Sequence, residues 1–190
     1  LSGLVGSEMC IRDRYYVDAS AAEGLNAALS AAIDAVRAGT FDGVALASAS
    51  SVDESVVKTL ADALGQTDCL LIFEGTPLLV SEAQRSVFDY YIVDVSAAAD
   101  DYDLEMAINH ALNWGVSAER LMLGSVHGRT VTDNDKTVHS SLNRAAYFAQ
   151  NAGSLAGVGI YDVGTDYYNS DIICKQTRGL IQQLNPAKGK

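Results

Sequence analysis

Hydrophobic positions along the chain fall into two alternating periods. From Ser20 to Arg37, apolar residues return at helical spacing (Leu25, Leu29, Ile33, Val36), and Gly39 follows as a stop, which predicts an amphipathic helix. A short apolar strand is expected at Gly43–Ser48. Ser51-Val52-Asp53-Glu54 has the form of a capping box, so a second helix is expected to run on to about Leu64, before Gly65. Further strands are predicted at Cys69–Phe73, Tyr90–Val95, Leu121–Ser125 and Val158–Val163. Helices are predicted at Asp101–Trp114, about Thr137–Gln150 and Ser170–Leu184, the last ending before Pro186.

The predicted strands are short, apolar on both faces and rich in Val, Ile and Leu, as strands covered by helices in a parallel sheet are. Five successive βα units describe either a doubly wound sheet or part of a (β/α)8 barrel. Segments entering strands are tight (Gly39–Asp42, Gly65–Asp68, Gly153–Ala156). Those leaving strands are longer and polar (Glu74–Val87, Ser96–Asp100, Gly124–Lys136, Gly164–Asn169). Functional loops of both architectures gather at the strand C-terminal ends, so periodicity leaves the two open. No internal repeat beyond the βα unit is visible, and no linker divides the chain.

Length and charge narrow the function. The 190 residues suit one domain or a large piece of one, and 48% hydrophobic content suits a globular core. With 13 basic against 24 acidic residues, net charge is -11, which removes the cationic surface that nucleic acids and anionic membranes need. No uncharged apolar run approaches the roughly 20 residues of a membrane span.

The run Leu4–Arg14 (LVGSEMCIRDR) resembles the translation of a sequencing adapter whose mosaic end reads Met-Cys-Ile-Arg-Asp. Residues 1–14 are therefore expected to be foreign, and residues 15–190 to be a gene fragment whose own start and export signal lie elsewhere.

Several familiar chemistries are argued against by context. Gly157-Val158-Gly159 falls inside a predicted strand rather than opening a helix, unlike a dinucleotide loop. Gly124-Ser125-Val126-His127-Gly128 lacks the register of a nucleophile elbow. His110 and His139 have no partners at metal-ligand spacing, and Cys69 and Cys174 read as buried thiols, so neither a metal nor a cofactor is expected. Trp114 closes a helix near Leu112 and reads as helix packing.

Phe41–Ala49 (FDGVALASA) resembles the fourth barrel strand of glycoside hydrolase family 18, the chitinase and endo-β-N-acetylglucosaminidase family, where the pattern is DGxDxDxE. The lead-in AIDAVRAGTFDGV (Ala32–Val44) is similar too. DCLLIFEG (Asp68–Gly75) resembles the fifth strand, VFDYYIVDVS (Val87–Ser96) the sixth and LAGVGIYDVGTDY (Leu155–Tyr167) the eighth. The closing helix into Leu184-Asn185-Pro186 also fits, so the resemblance spans Tyr15 to Lys190. The most similar subgroup serves bacterial surface glycan foraging. The resemblance implies an α/β fold, a partial (β/α)8 TIM barrel comprising strands four to eight with their helices, its first three strands missing.

The departures matter most. In the family the final Glu of the motif is the general acid, and the Asp two residues before it orients the substrate N-acetyl group, itself the nucleophile. Alternation along a strand turns every second side chain inward. Of the motif positions only Asp42 matches; the three inward ones are Ala45, Ala47 and Ala49. Alanine holds no transferable proton, and losing general acid catalysis costs roughly 10²–10⁴ in rate. The sixth-strand Gln and Tyr of resembling sequences are Asp94 and Ser96 here.

The resemblance therefore implies a noncatalytic glycan-binding protein, a pseudoenzyme recognising N-acetylglucosamine-containing glycans. It would be a cell-surface lipoprotein whose partners are an oligosaccharide and outer-surface glycan-uptake proteins. Tyr161 stands where the family places an aromatic floor under the sugar, although a core tyrosine reads the same way. Asp94, Glu74, Ser96 and His127 are further candidate carbohydrate contacts, with Arg129, Asp162 and Asp166 behind them. The alternative is an active endo-β-N-acetylglucosaminidase using Glu74 and Asp94 as relocated carboxylates. A third reading is a doubly wound α/β module with an unrelated small-molecule role.

Overall fold

The computed structural model describes residues 14–21, 23–65, 67–95, 101–124 and 155–158. The elements are β1 (Arg14–Asp18), α1 (Leu25–Arg37), β2 (Gly43–Ala47), α2 (Glu54–Leu64), β3 (Leu70–Glu74), β4 (Tyr90–Asp94), α3 (Asp101–Asn113), β5 (Leu121–Gly124) and β6 (Gly157–Val158). All neighbouring strands are parallel, and their order in the sheet is their order in the chain. A doubly wound sheet must reverse its strand order at a switch point. Six strands added in one direction have no such point, and this is how a barrel winds. The fold is α/β with the architecture of a partial (β/α)8 barrel.

One strand was missing from the sequence reading. Arg14–Asp18 pairs along its whole length with β2, from Arg14↔Gly43 to Asp18↔Ala47. If β2 is the fourth barrel strand, β1 takes the third place, so three strands are not missing ahead of β2. The segment escaped because it is five residues long and begins at the boundary drawn against the adapter-like run. The predicted helices at about 137–150 and 170–184, and most of the strand at 158–163, lie outside the described residues.

Alternation sorts the strands' side chains onto two faces. Val17, Val44, Leu46, Leu71, Phe73, Tyr91, Leu121 and Leu123 face the helices, where they meet Leu29, Ile33 and Val36 of α1, Val57 and Leu60 of α2, and Ile108 of α3. Ala45, Ile72 and Ile92 form a separate cluster on the opposite, inner face, with Leu70, Tyr90 and Met122 against it. Phe73, Phe88 and Tyr91 meet as an aromatic trio with centroids 5.4–5.8 Å apart. This trio anchors the middle of the outer layer.

Local chemistry sets the element ends. Asp53, not Ser51, is the N-cap of α2, its carboxylate accepting the Ser55 N–H at 2.7 Å. The residue ahead of it is held separately, the Val52 N–H donating to the Leu79 carbonyl at 2.9 Å. Gly43 is required at the start of β2, since a Cβ there would collide with the Leu70 carbonyl on β3. No α-helix joins β3 to β4. That connection is two 3-10 turns, Pro77–Leu79 and Glu82–Val87. Arg85 ties it down, donating from Nε to the Pro77 and Val80 carbonyls and from Nη1 to the Trp114 carbonyl at 2.6 Å. The Trp114 ring itself lies 5.4 Å from that of His110. No helix among the described residues is long and apolar enough to cross a membrane.

Candidate functional site

The inner face is built in rows, because in-register parallel strands set equivalent residues side by side. One row is Tyr16, Ala45, Ile72 and Tyr90. The next, toward the strand C-termini, is Asp18, Ala47, Glu74, Ile92 and Met122. Asp94 stands one row further out, paired with Gly124. Since Ala45, Ile72 and Ile92 cluster on this face, residues two positions along each strand share it. Three of the six strands therefore bring a carboxylate to one end of one face: Asp18, Glu74 and Asp94.

β2 contributes no acid. Ala45 and Ala47 are 6% and 7% exposed, buried methyl groups between the flanking strands. Ala49 lies past the end of β2 and is exposed. Its N–H donates to the Ser20 hydroxyl at 2.8 Å, and that hydroxyl lies 3.3 Å from the Ser48 hydroxyl. Ser48 in turn donates to the Ser50 carbonyl at 2.7 Å. Hydroxyls from the β1 and β2 loops thus hold the rim where the motif's last position falls.

Asp18 accepts the Ser20 N–H at 2.8 Å, which closes the turn after β1. Glu74 is half-buried and Asp94 exposed. Partial burial raises the Tyr16 phenol above its ordinary pKa, and the negative charges of Glu74 and then Asp18 add to the effect. Both carboxylates are therefore felt at the Tyr16 hydroxyl. Ionised carboxylates only accept hydrogen bonds, so the face suits ligands rich in O–H and N–H donors. No group of three His, Cys, Asp or Glu residues able to hold a metal occurs among the described residues.

Of the carbohydrate contacts expected from sequence, the structure brings Glu74 and Asp94 onto one face on neighbouring strands. Tyr161, Ser96 and His127 lie outside the described residues, as do Arg129, Asp162 and Asp166. The sequence reading missed Tyr16 and Asp18. A signal was present: RYYVD, LLIFE and YYIVD each close an apolar run with an acid, and the first was not recognised as a strand.

No family model matches the chain, and neither does any curated protein. Its fold is matched by solved structures. A selenomethionine variant of BT1044 superposes with TM-score 0.62 at 18% identity, covering 88% of this chain and 61% of that one. This chain therefore spans under two thirds of that protein. The endo-β-N-acetylglucosaminidase of Cordyceps militaris matches with TM-score 0.58 at 19% identity, over 93% of this chain and 70% of that one. A double mutant of that enzyme, one Asp and one Glu changed to their amides, was solved with fucosyl-N-acetylglucosamine-Asn and matches at 0.61 and 17%, with the same coverage. A fungal endo-β-N-acetylglucosaminidase of glycosyl hydrolase family 18 matches at 0.57 and 14%, over 85% and 64%. The class these likenesses define is structural: the chain shares its chitinase-like α/β fold with endo-β-N-acetylglucosaminidases, one of them described as family 18.

Proposed function

We propose that the chain, read as residues 15–190 of a longer barrel, is the glycan-binding part of a noncatalytic relative of the family 18 hydrolases. It recognises N-acetylglucosamine-containing glycans at the C-terminal face of its sheet. The observation that carries this is the chemistry of β2: buried Ala45 and Ala47 stand where the resembling motif needs carboxylates, with Ala49 beyond them. The fold shared with endo-β-N-acetylglucosaminidases supports the glycan. Asp94 and Glu74 supply polar contacts, joined in this proposal by Tyr161, Ser96 and His127. A cell-surface lipoprotein working beside glycan-uptake proteins is the setting the resemblance suggests.

The test is incubation of the full chain with chitooligosaccharides and high-mannose N-glycans, followed by calorimetry with the same sugars. Binding without release of product is expected. Release that disappears in Glu74→Gln would overturn the noncatalytic reading.

One observation favours the second reading, an active hydrolase with relocated acids. Asp18 and Glu74 flank Ala47, so their backbones lie two strand spacings, roughly 9–10 Å, apart along the row. Glu74 and Asp94 lie on adjacent strands one row apart. Side chains from either pair of positions can reach toward the separation of about 6.5–9.5 Å that inverting glycosidases hold between their two carboxyl groups. The same incubation, repeated with Asp18→Asn and Asp94→Asn, separates the two pairs.

A further inference from the structure

We propose that Gly75 and Ser48 are positioning residues for Glu74: the close approach of their backbones fixes the direction of the Glu74 carboxylate, and glycan affinity depends on that approach. The inference rests on the glycan-binding reading above, in which Glu74 is a contact.

The peptide unit joining Glu74 to Gly75 is held from both sides. Its carbonyl accepts the Ser48 N–H at 3.1 Å from the end of β2, and its N–H donates to the Ile92 carbonyl of β4 at 2.9 Å. These bonds carry the ladders one step past the pairs Ala47↔Glu74 and Glu74↔Ile92. Glu74 is thus clamped between two strands of the sheet interior.

Gly75 makes the clamp possible. Its φ is 146°, a conformation open to glycine and rare for other residues. A Cβ there would stand 2.7 Å from the Ser48 carbonyl oxygen and 3.2 Å from the Phe73 ring. Neither neighbour can yield. Phe73 is fully buried in the aromatic trio. Ser48 is buried as well, and its hydroxyl donates to the Ser50 carbonyl at 2.7 Å while accepting the Ser50 N–H at 3.2 Å. That closed turn holds the Ser48 carbonyl where it is.

A side chain at position 75 must therefore turn the peptide ahead of it. The turn swings the Cα–Cβ bond of Glu74, and the carboxylate, three bonds out, moves further than the backbone does. The charge of Glu74 registers at a second point. It raises the Tyr16 phenol's pKa, after burial and ahead of Asp18. A carboxylate swung out of the row raises it less, so Tyr16 reports the placement of Glu74 with or without a ligand.

The test compares the full chain as wild type, Gly75→Ala, Glu74→Gln and the double variant. Calorimetry with chitotetraose reads affinity. Carbon-13 NMR of Cζ-labelled tyrosine reads the Tyr16 titration, its signal assigned by its loss in Tyr16→Phe. Glu74→Gln should lower the Tyr16 pKa and weaken chitotetraose roughly two- to tenfold, the range for one lost hydrogen bond. Gly75→Ala should do both in the same direction, and should weaken binding no further in the Glu74→Gln background, because the two substitutions remove one interaction. Additive losses, or an unchanged Tyr16 titration in a Gly75→Ala protein that melts cooperatively, overturn the positioning role and leave the glycan reading intact. Where Gly75→Ala does not melt cooperatively, Ser48→Ala, which frees the turn without adding bulk, decides on the same two readouts. Wild type that does not bind chitotetraose overturns the glycan reading, and the Tyr16 titration then decides the positioning of Glu74 by itself.

Discussion

Asp18 and Glu74 share one row of the sheet, each a single strand away from Ala47. The arrangement leaves a methyl-floored gap between two acids, in a position where three neighbouring carboxylates would repel one another.

Ala47→Asp therefore puts a third acid between two, at a position 7% exposed. Burial and like charge both raise the new carboxyl's pKa in the folded state above its unfolded value of about 3.9. A group with a raised folded pKa loses stability as pH climbs from the unfolded pKa through the folded one. The variant should melt closest to wild type near pH 4 and fall behind toward pH 7, by about 3 kcal/mol. Parallel thermal melts across that range check it; a difference independent of pH would contradict the crowding of charge.

Gly43→Ala should destabilise by roughly 1–3 kcal/mol, since the new methyl meets the Leu70 backbone and no side chain can swing away. Urea unfolding gives the number. A neutral result would mean that β2 and β3 are not paired in the register Gly43↔Leu70.

Tyr91 donates its hydroxyl to the Arg85 carbonyl at 2.8 Å beneath the β3–β4 turns. Burial pushes its pKa from 10.0 up to about 12, while the nearby Arg120 and Arg85 charges pull the other way. The neutral phenol is favoured in the fold. Its stabilisation is intact below pH 10 and is lost as pH rises from there through about 12. Tyr91→Phe should cost about 1 kcal/mol at pH 7 for the hydrogen bond and should lack this alkaline loss. Denaturation at pH 7, 9 and 11 distinguishes the two, the gap between variant and parent narrowing at pH 11.

Ser20→Ala removes the acceptor of the Ala49 N–H and the hydroxyl beside Ser48. Faster hydrogen exchange at Ala49 is expected, with a loss of global stability below about 1 kcal/mol because the bond is exposed. Unchanged exchange at Ala49 would show that the rim is held by something other than the two serines.

Much of the architecture was legible from one-dimensional pattern. The helix at Leu25–Arg37 ends at the residue where the apolar stripe stops, and α2 ends at Leu64 as read. Those boundaries are local: a side-chain period and a glycine just beyond. Ser51 and Asp53 are both capping residues by type; in the fold the cap is Asp53, whose carboxylate accepts the Ser55 N–H, while the chain before it is tied down by the bond from Val52 to Leu79. Leu79 is 27 positions away, out of reach of any local signal.

The candidate site divides along the same line. By itself the sequence determined that β2 ends in alanines, that Glu74 and Asp94 close apolar strands, and that alternate residues share a face. These follow from residue identity and the two-residue period of an extended chain. The tertiary structure alone decided that strand order never reverses, which separates a barrel from a doubly wound sheet. It also decided that Asp18 shares a row with Glu74 and that Ala47 lies between the two acids. Parallel strands are joined by crossovers of a dozen or more residues, so a strand's neighbour and register are set by where the intervening helix packs. A row such as Asp18, Ala47 and Glu74 is a property of that packing, written nowhere in the order of the residues.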